Sequence, residues 1–124
     1  MLRIEHRRVG DVMILDVKGE IYAGSPGHDL GDTVRTLLRK GYRKVLLNLA
    51  EASAADASGI SALVGAMLEM RDAGGELKLL HLTKRIKEVL ILVALCGYFS
   101  TFDSEMEALA SFDREPALAG SLVA

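Results

Sequence analysis

Residues Lys44 to Ala50, KVLLNLA, constrain the fold more than any other stretch. A run of branched apolar residues of this kind suits a central strand buried on both faces. Amphipathic segments stand on either side of it. From about His28 to Lys40, Leu30, Val34, Leu37 and Leu38 recur at helical spacing, and Gly41 stands as a C-terminal stop. Ile60, Leu63, Val64, Met67 and Leu68 mark one stripe of a second helix ending at Gly74-Gly75, with Glu51 to Ala55 as the linker before it. Glu76 to Leu82 reads as a strand, and Thr83 as the N-cap of a helix whose apolar face is Ile86, Val89, Leu90 and Val93. Phe99 to Phe102 is a short strand, and Asp103 or Ser104 caps a last helix running to Phe112. Ahead of all this, Leu2 to His6 alternates as a half-buried strand, Gly10-Asp11 turns, and Val12 to Val17 forms a more deeply buried strand. Gly19 interrupts that strand, and a loop Tyr22 to Gly27 follows.

Strands alternating with helices after an opening hairpin predict an α/β fold with a mixed sheet. Right-handed crossovers place successive parallel strands side by side. At 124 residues the chain suits one domain, spanning residues 1–112, with a loosely held tail over 113–124.

The same reading narrows the function. Net charge is −2 and the pI about 5.9, so no nucleic acid or anionic membrane is called for as a partner. The basic cluster Arg3 to Arg8 reads as the exposed face of a strand. Cys96 is the one cysteine, compatible with a reducing compartment and best read as an inert buried thiol. Leu2 is followed by charged residues rather than an apolar leader, and Val89 to Cys96 is too short to span a bilayer. The expected address is the cytoplasm. His6, His28 and His81 are scattered, with no metal-ligand spacing, and Gly24-Ser25-Pro26-Gly27 lacks the lysine of a phosphate cradle. No metal, cofactor or catalytic set is implied, which favours a binding module over an enzyme.

One turn stands out. Asp56-Ala57-Ser58-Gly59 opens a helix directly after the central strand's linker, with Asp56 placed to accept from the first free N–H groups. Small side chains there allow another surface to approach closely.

With these pieces in order, the chain resembles the STAS domain family, in particular the bacterial anti-sigma factor antagonists. The resemblance rests on Gly10 to Ile21, Val45 to Leu49, Asp56 to Ile60, Gly74 to Leu80, Leu82 to Ile86, and Phe99 to Leu109. It implies a mixed sheet of about five strands, with about four helices packed mainly on one side. It also implies a partner, an anti-sigma factor of the serine-kinase type, whose capture frees a sigma factor. The contact surface it implies is Ala23, Gly24, Ser25, Asp56, Ala57, Ser58, Gly59 and Ile60. In the family a serine directly after the aspartate takes the phosphate that ends the association. Here that position is Ala57. Ser58 is either a displaced phosphosite or no phosphosite; loss is favoured, because one step round a helix turns a side chain by about 100°. Tyr22 is a second departure, where many relatives carry an aspartate. The other reading is a STAS scaffold or accessory module in a signalling or transporter-associated complex. Whether the module forms a homodimer stays open.

Overall fold

The computed structural model describes residues 2–22, 30–92 and 99–112. Ala23, Gly24, Ser25, His28, Cys96 and the 113–124 tail lie outside the described residues. Strand β1 (Arg3–Val9) and strand β2 (Val12–Ile21) form the expected antiparallel hairpin, in register from Arg3↔Lys18 to Val9↔Val12. Helix α1 (Leu30–Arg39), strand β3 (Lys44–Ala55), helix α2 (Ala57–Asp72), strand β4 (Glu76–Leu80), helix α3 (Lys84–Leu92) and strand β5 (Thr101–Phe102) follow in turn. A fourth helix, α4, occupies residues 105–112. The sheet order is β1-β2-β3-β4-β5, and every pairing after the hairpin is parallel.

Local chemistry explains the helix ends. Gly41 takes a φ of 99°, the left-handed region that ends α1, and Tyr42 N–H closes on Leu37 O at 3.0 Å. Thr83 Oγ1 accepts from Ile86 N at 3.3 Å, as its N-cap role requires. At α4 the cap is Ser104, whose Oγ accepts from Glu107 N at 3.3 Å.

Three expectations need correcting. Residues Glu51 to Ala55 are not a linker but the second half of β3, because β2 also continues past Val17 and pairs with it. The continuation is irregular: the register slips between Asp16 and Lys18 and again between Gly19 and Glu20, so β3 gains residues relative to its neighbour. Strand β4 stops at Leu80 rather than Leu82, since His81 adopts a φ of 55°, outside strand geometry. Strand β5 begins at Thr101 instead of Phe99.

The sheet divides two cores. Alternate residues of β2, β3 and β4 project to opposite faces. Met13, Leu15, Leu47 and Leu79 meet the buried stripes of α1, α2 and α3, including Val34, Leu63 and Ile86. Ile14, Leu46 and Leu80 meet Ala108 and Phe112 of α4 on the other face. The helices thus pack three to one.

The smaller core holds a buried cation. Lys78 is 2% exposed on β4, and its Nζ donates to Ser111 Oγ at 2.8 Å and lies 4.7 Å from the centre of the Phe112 ring. Glu76 Oε2 stands 3.5 Å from the same nitrogen. A buried amine needs such hydrogen-bonding and ring partners to offset the water it gives up. Beyond the apolar patch, Arg7 bridges Asp16 at 2.6 Å and Glu105 at 2.8 Å, while Asn48 donates to Asp16 at 2.9 Å. This network ties β1, β2, β3 and α4 together, and the Arg7 contact above all holds the Asp16 carboxyl below its usual range.

Because Phe112 fills this core and Met106 is 81% exposed on the same helix, the two should respond differently to truncation. Phe112→Ala should cost about 3–5 kcal/mol in urea unfolding, and Met106→Ala no more than about 0.5 kcal/mol.

Candidate functional site

The site grows from the end of β3. Its length carries the chain to Asp56, whose backbone is extended, with φ −120° and ψ 173°, immediately before α2 begins. Asp56 N–H donates to Ile21 O at 3.3 Å, so the turn is tied to the end of β2. Asp56 C=O takes the first helical bond, from Ile60 N at 3.1 Å.

Asp56 caps α2 through one oxygen. Oδ1 accepts from Gly59 N at 2.8 Å and from Ser58 Oγ at 2.7 Å. The Ser58 hydroxyl first, and the Gly59 N–H second, hold the carboxyl below its ordinary value. The first turn of α2 carries no acidic residue, so Asp56 is the fixed negative charge at a helix end of positive potential.

Gly59 has a different job from its neighbours. A Cβ at this position would stand 2.1 Å from Ile21 O and 2.9 Å from Tyr22 Cα. Helix α2 therefore starts in direct contact with the backbone of β2, an approach open only to glycine. Ile60 is 1% exposed and belongs to the larger core. Of the sequence-derived surface, Asp56, Ala57 and Ser58 are exposed together, whereas Gly59 and Ile60 face inward and shape the turn from beneath.

Tyr22 flanks the turn. It is 41% exposed, and its hydroxyl donates to Glu20 Oε2 at 3.3 Å. The Glu20 carboxylate is the main cause of a phenol held above its ordinary value, with Asp56 adding to it and Arg85 opposing. Arg85 belongs to α3, so the first turn of that helix also reaches this corner. A groove of about 340 Å³ lies there, floored by Ala54 and Ala55 and walled by Arg85, Glu88 and Val89. The groove is not legible in the sequence, where residues 54–55 read as a linker and nothing local relates them to α3.

Among the described residues no cluster of three or more His, Cys, Asp or Glu is arranged to hold a metal ion, and no helix is long and apolar enough to cross a membrane. His81 sits between β4 and α3, with its N–H donating to Phe102 O at 2.8 Å, and takes a structural place in the turn.

The family model for the STAS domain matches residues 3–108. The chain belongs to the STAS domain family. No curated protein matches it in sequence. Among solved structures, an anti-sigma factor antagonist from Mycobacterium paratuberculosis superposes with a TM-score of 0.78 at 12% identity, covering 91% of this chain and 95% of that one. A candidate anti-sigma factor antagonist from Thermotoga maritima gives 0.73 at 22% identity, over 90% and 95%. The Bacillus cell fate determinant SpoIIAA in its phosphorylated form gives 0.66 at 20% identity, over 90% and 98%. At such identities the likeness is one of fold. The STAS fold accounts for the hairpin and the parallel strands.

Two outcomes test this geometry. Gly59→Ala should lower stability by at least about 2 kcal/mol in chemical denaturation, since the clash is with backbone rather than a movable side chain. Ser58→Ala should raise the Asp56 pKa towards the ordinary aspartate value, read by NMR titration of the carboxyl carbon. With the native serine, Asp56 stays ionised above its lowered pKa, and its capping is lost only as pH falls through that value.

Proposed function

We propose that this STAS domain is an anti-sigma factor antagonist that binds an anti-sigma factor of the serine-kinase type and so frees a sigma factor. It works in the cytoplasm by association and not by catalysis. The observation that carries the reading is the exposed Asp56-Ala57-Ser58 turn at the head of α2, small enough for a second protein to lie against the helix end. The fold shared with anti-sigma factor antagonists supports it.

Regulation at this turn differs from that of relatives that use the serine after the aspartate. Ala57 offers no hydroxyl, and Ser58 Oγ is already 2.7 Å from Asp56 Oδ1. A phosphate on Ser58 would add roughly two negative charges beside a carboxylate that stays ionised. A kinase also needs its acceptor hydroxyl aligned with the phosphate donor, and a shift of one residue on a helix removes that alignment. The surface therefore keeps the charge of an unphosphorylated antagonist, and the association is set by the amount of protein present. The proposed contact also includes Ala23, Gly24 and Ser25, which follow Tyr22 in the sequence.

The test uses a serine-kinase-type anti-sigma factor from the same organism. The native chain should bind it equally with and without ATP turnover. Ala57→Ser should take up phosphate and then lose the partner. Ala57→Asp should weaken binding at least tenfold, because one buried like charge at a tight contact costs more than about 1.4 kcal/mol. Asp56→Ala should weaken association while the domain stays folded. Unchanged affinity in Ala57→Asp would move the interface elsewhere.

A further inference from the structure

At the opposite end of the sheet from Asp56, two connecting segments meet around an open cleft of about 400 Å³. The hairpin turn contributes Arg8 and Asp11, and the segment between α1 and β3 contributes Lys40, Tyr42, Arg43 and Lys44. Four cations thus surround a single carboxylate, in a chain whose net charge is −2.

Helix ends explain only part of this charge. The last carbonyls of α1 and α2 point to this end of the molecule, where a cation is favourable. Arg43 meets that need: Nε donates to Ala73 O at 3.2 Å, and Nη1 donates to Leu38 O at 3.0 Å and Tyr42 O at 3.1 Å. Lys44 Nζ lies 2.8 Å from Asp11 Oδ2. Arg8 donates Nε to Gly10 O at 3.1 Å, and among the described residues its two Nη groups make no hydrogen bond. Neither Arg8 nor Lys40 forms an ion pair among the described residues, and both are exposed.

We propose that this cleft is a binding site for a compact oligophosphate group, held between Arg8 and Lys40 with Arg43 and Lys44 fixed behind them. The guanidinium fork of Arg8 matches phosphate oxygens two at a time, and lysine adds point charge. Pinning Arg43 to three carbonyls and Lys44 to Asp11 removes much of the side-chain entropy that ordering cations round an anion costs. The positive field is concentrated in one concavity, which suits a small multivalent anion better than an extended acidic segment, whose charges are spaced along roughly 3.3 Å per residue. The site is independent of the Asp56 turn, since the whole of β3 separates them.

The experiment is a titration of the full 15N-labelled chain with sodium tripolyphosphate at fixed ionic strength, with sodium sulfate and hexaglutamate as parallel arms. Saturable shifts are expected at amides of residues 8–11 and 40–44 and none at 56–58. Lys40→Ala and Arg8→Ala should each weaken tripolyphosphate binding roughly five- to tenfold, as loss of a charge-assisted contact implies. Should either variant lose structure by circular dichroism, Lys40→Gln and Arg8→Gln carry the same expectation. Shifts that fail to saturate, or an affinity that survives both substitutions, would overturn the site. Hexaglutamate binding as tightly as tripolyphosphate would overturn the phosphate assignment in favour of acidic peptides.

Discussion

The first turn of α2 rests on the last residues of β2 so closely that no Cβ fits between them, and much of the molecule follows from that contact. Gly59 brings the helix backbone to Ile21 O, and the Asp56 N–H bonds to the same carbonyl at 3.3 Å. The helix is therefore positioned by backbone against backbone, which yields less than side-chain packing does. Ile60 then enters the core, and Ala57 and Ser58 are turned outward. A bulkier residue at position 59 would lift the helix and tilt the exposed turn with it. The candidate docking surface is thus specified from underneath, by a residue that never reaches it.

The sheet distributes chemistry between its two ends and its two faces. One end presents a small turn with a single ionised aspartate, while the other gathers cations round the C-terminal ends of α1 and α2. Both arrangements use the same electrostatics, since helix starts favour negative charge and helix ends positive. Between them, α4 covers the face away from the other helices with only a small apolar patch. Lys78 and the Arg7–Asp16–Glu105 network make up the difference, because a face with few apolar contacts needs directed polar ones to fix a helix in one place. STAS family members sharing this fold can therefore differ at either end without disturbing the central strands.

Much of the architecture was legible in the chain itself. The apolar run at Val45–Leu49 announces a buried strand, the stripes of Val34 and Leu63 announce covering helices, and Asp56 and Thr83 announce their caps. These signals are local: period, propensity and short-range hydrogen bonds act within a few residues. That Ala57 carries no hydroxyl is likewise a fact of sequence.

Tertiary structure alone decided the rest. Nothing in Glu51 to Ala55 marks a strand, since its small residues pair only because β2 runs on beside them to Ile21, with β3 taking up the extra residues at the two register shifts. The inward role of Gly59 depends on where Ile21 ends, and the two are far apart in sequence. The basic cleft draws on positions 8, 11 and 40–44, and no periodicity joins them. Local patterns determine which elements form and which way they face. Which distant groups end up within ångströms of one another is set by the register of the strands and the closeness of helix to sheet, and those emerge only when the chain packs.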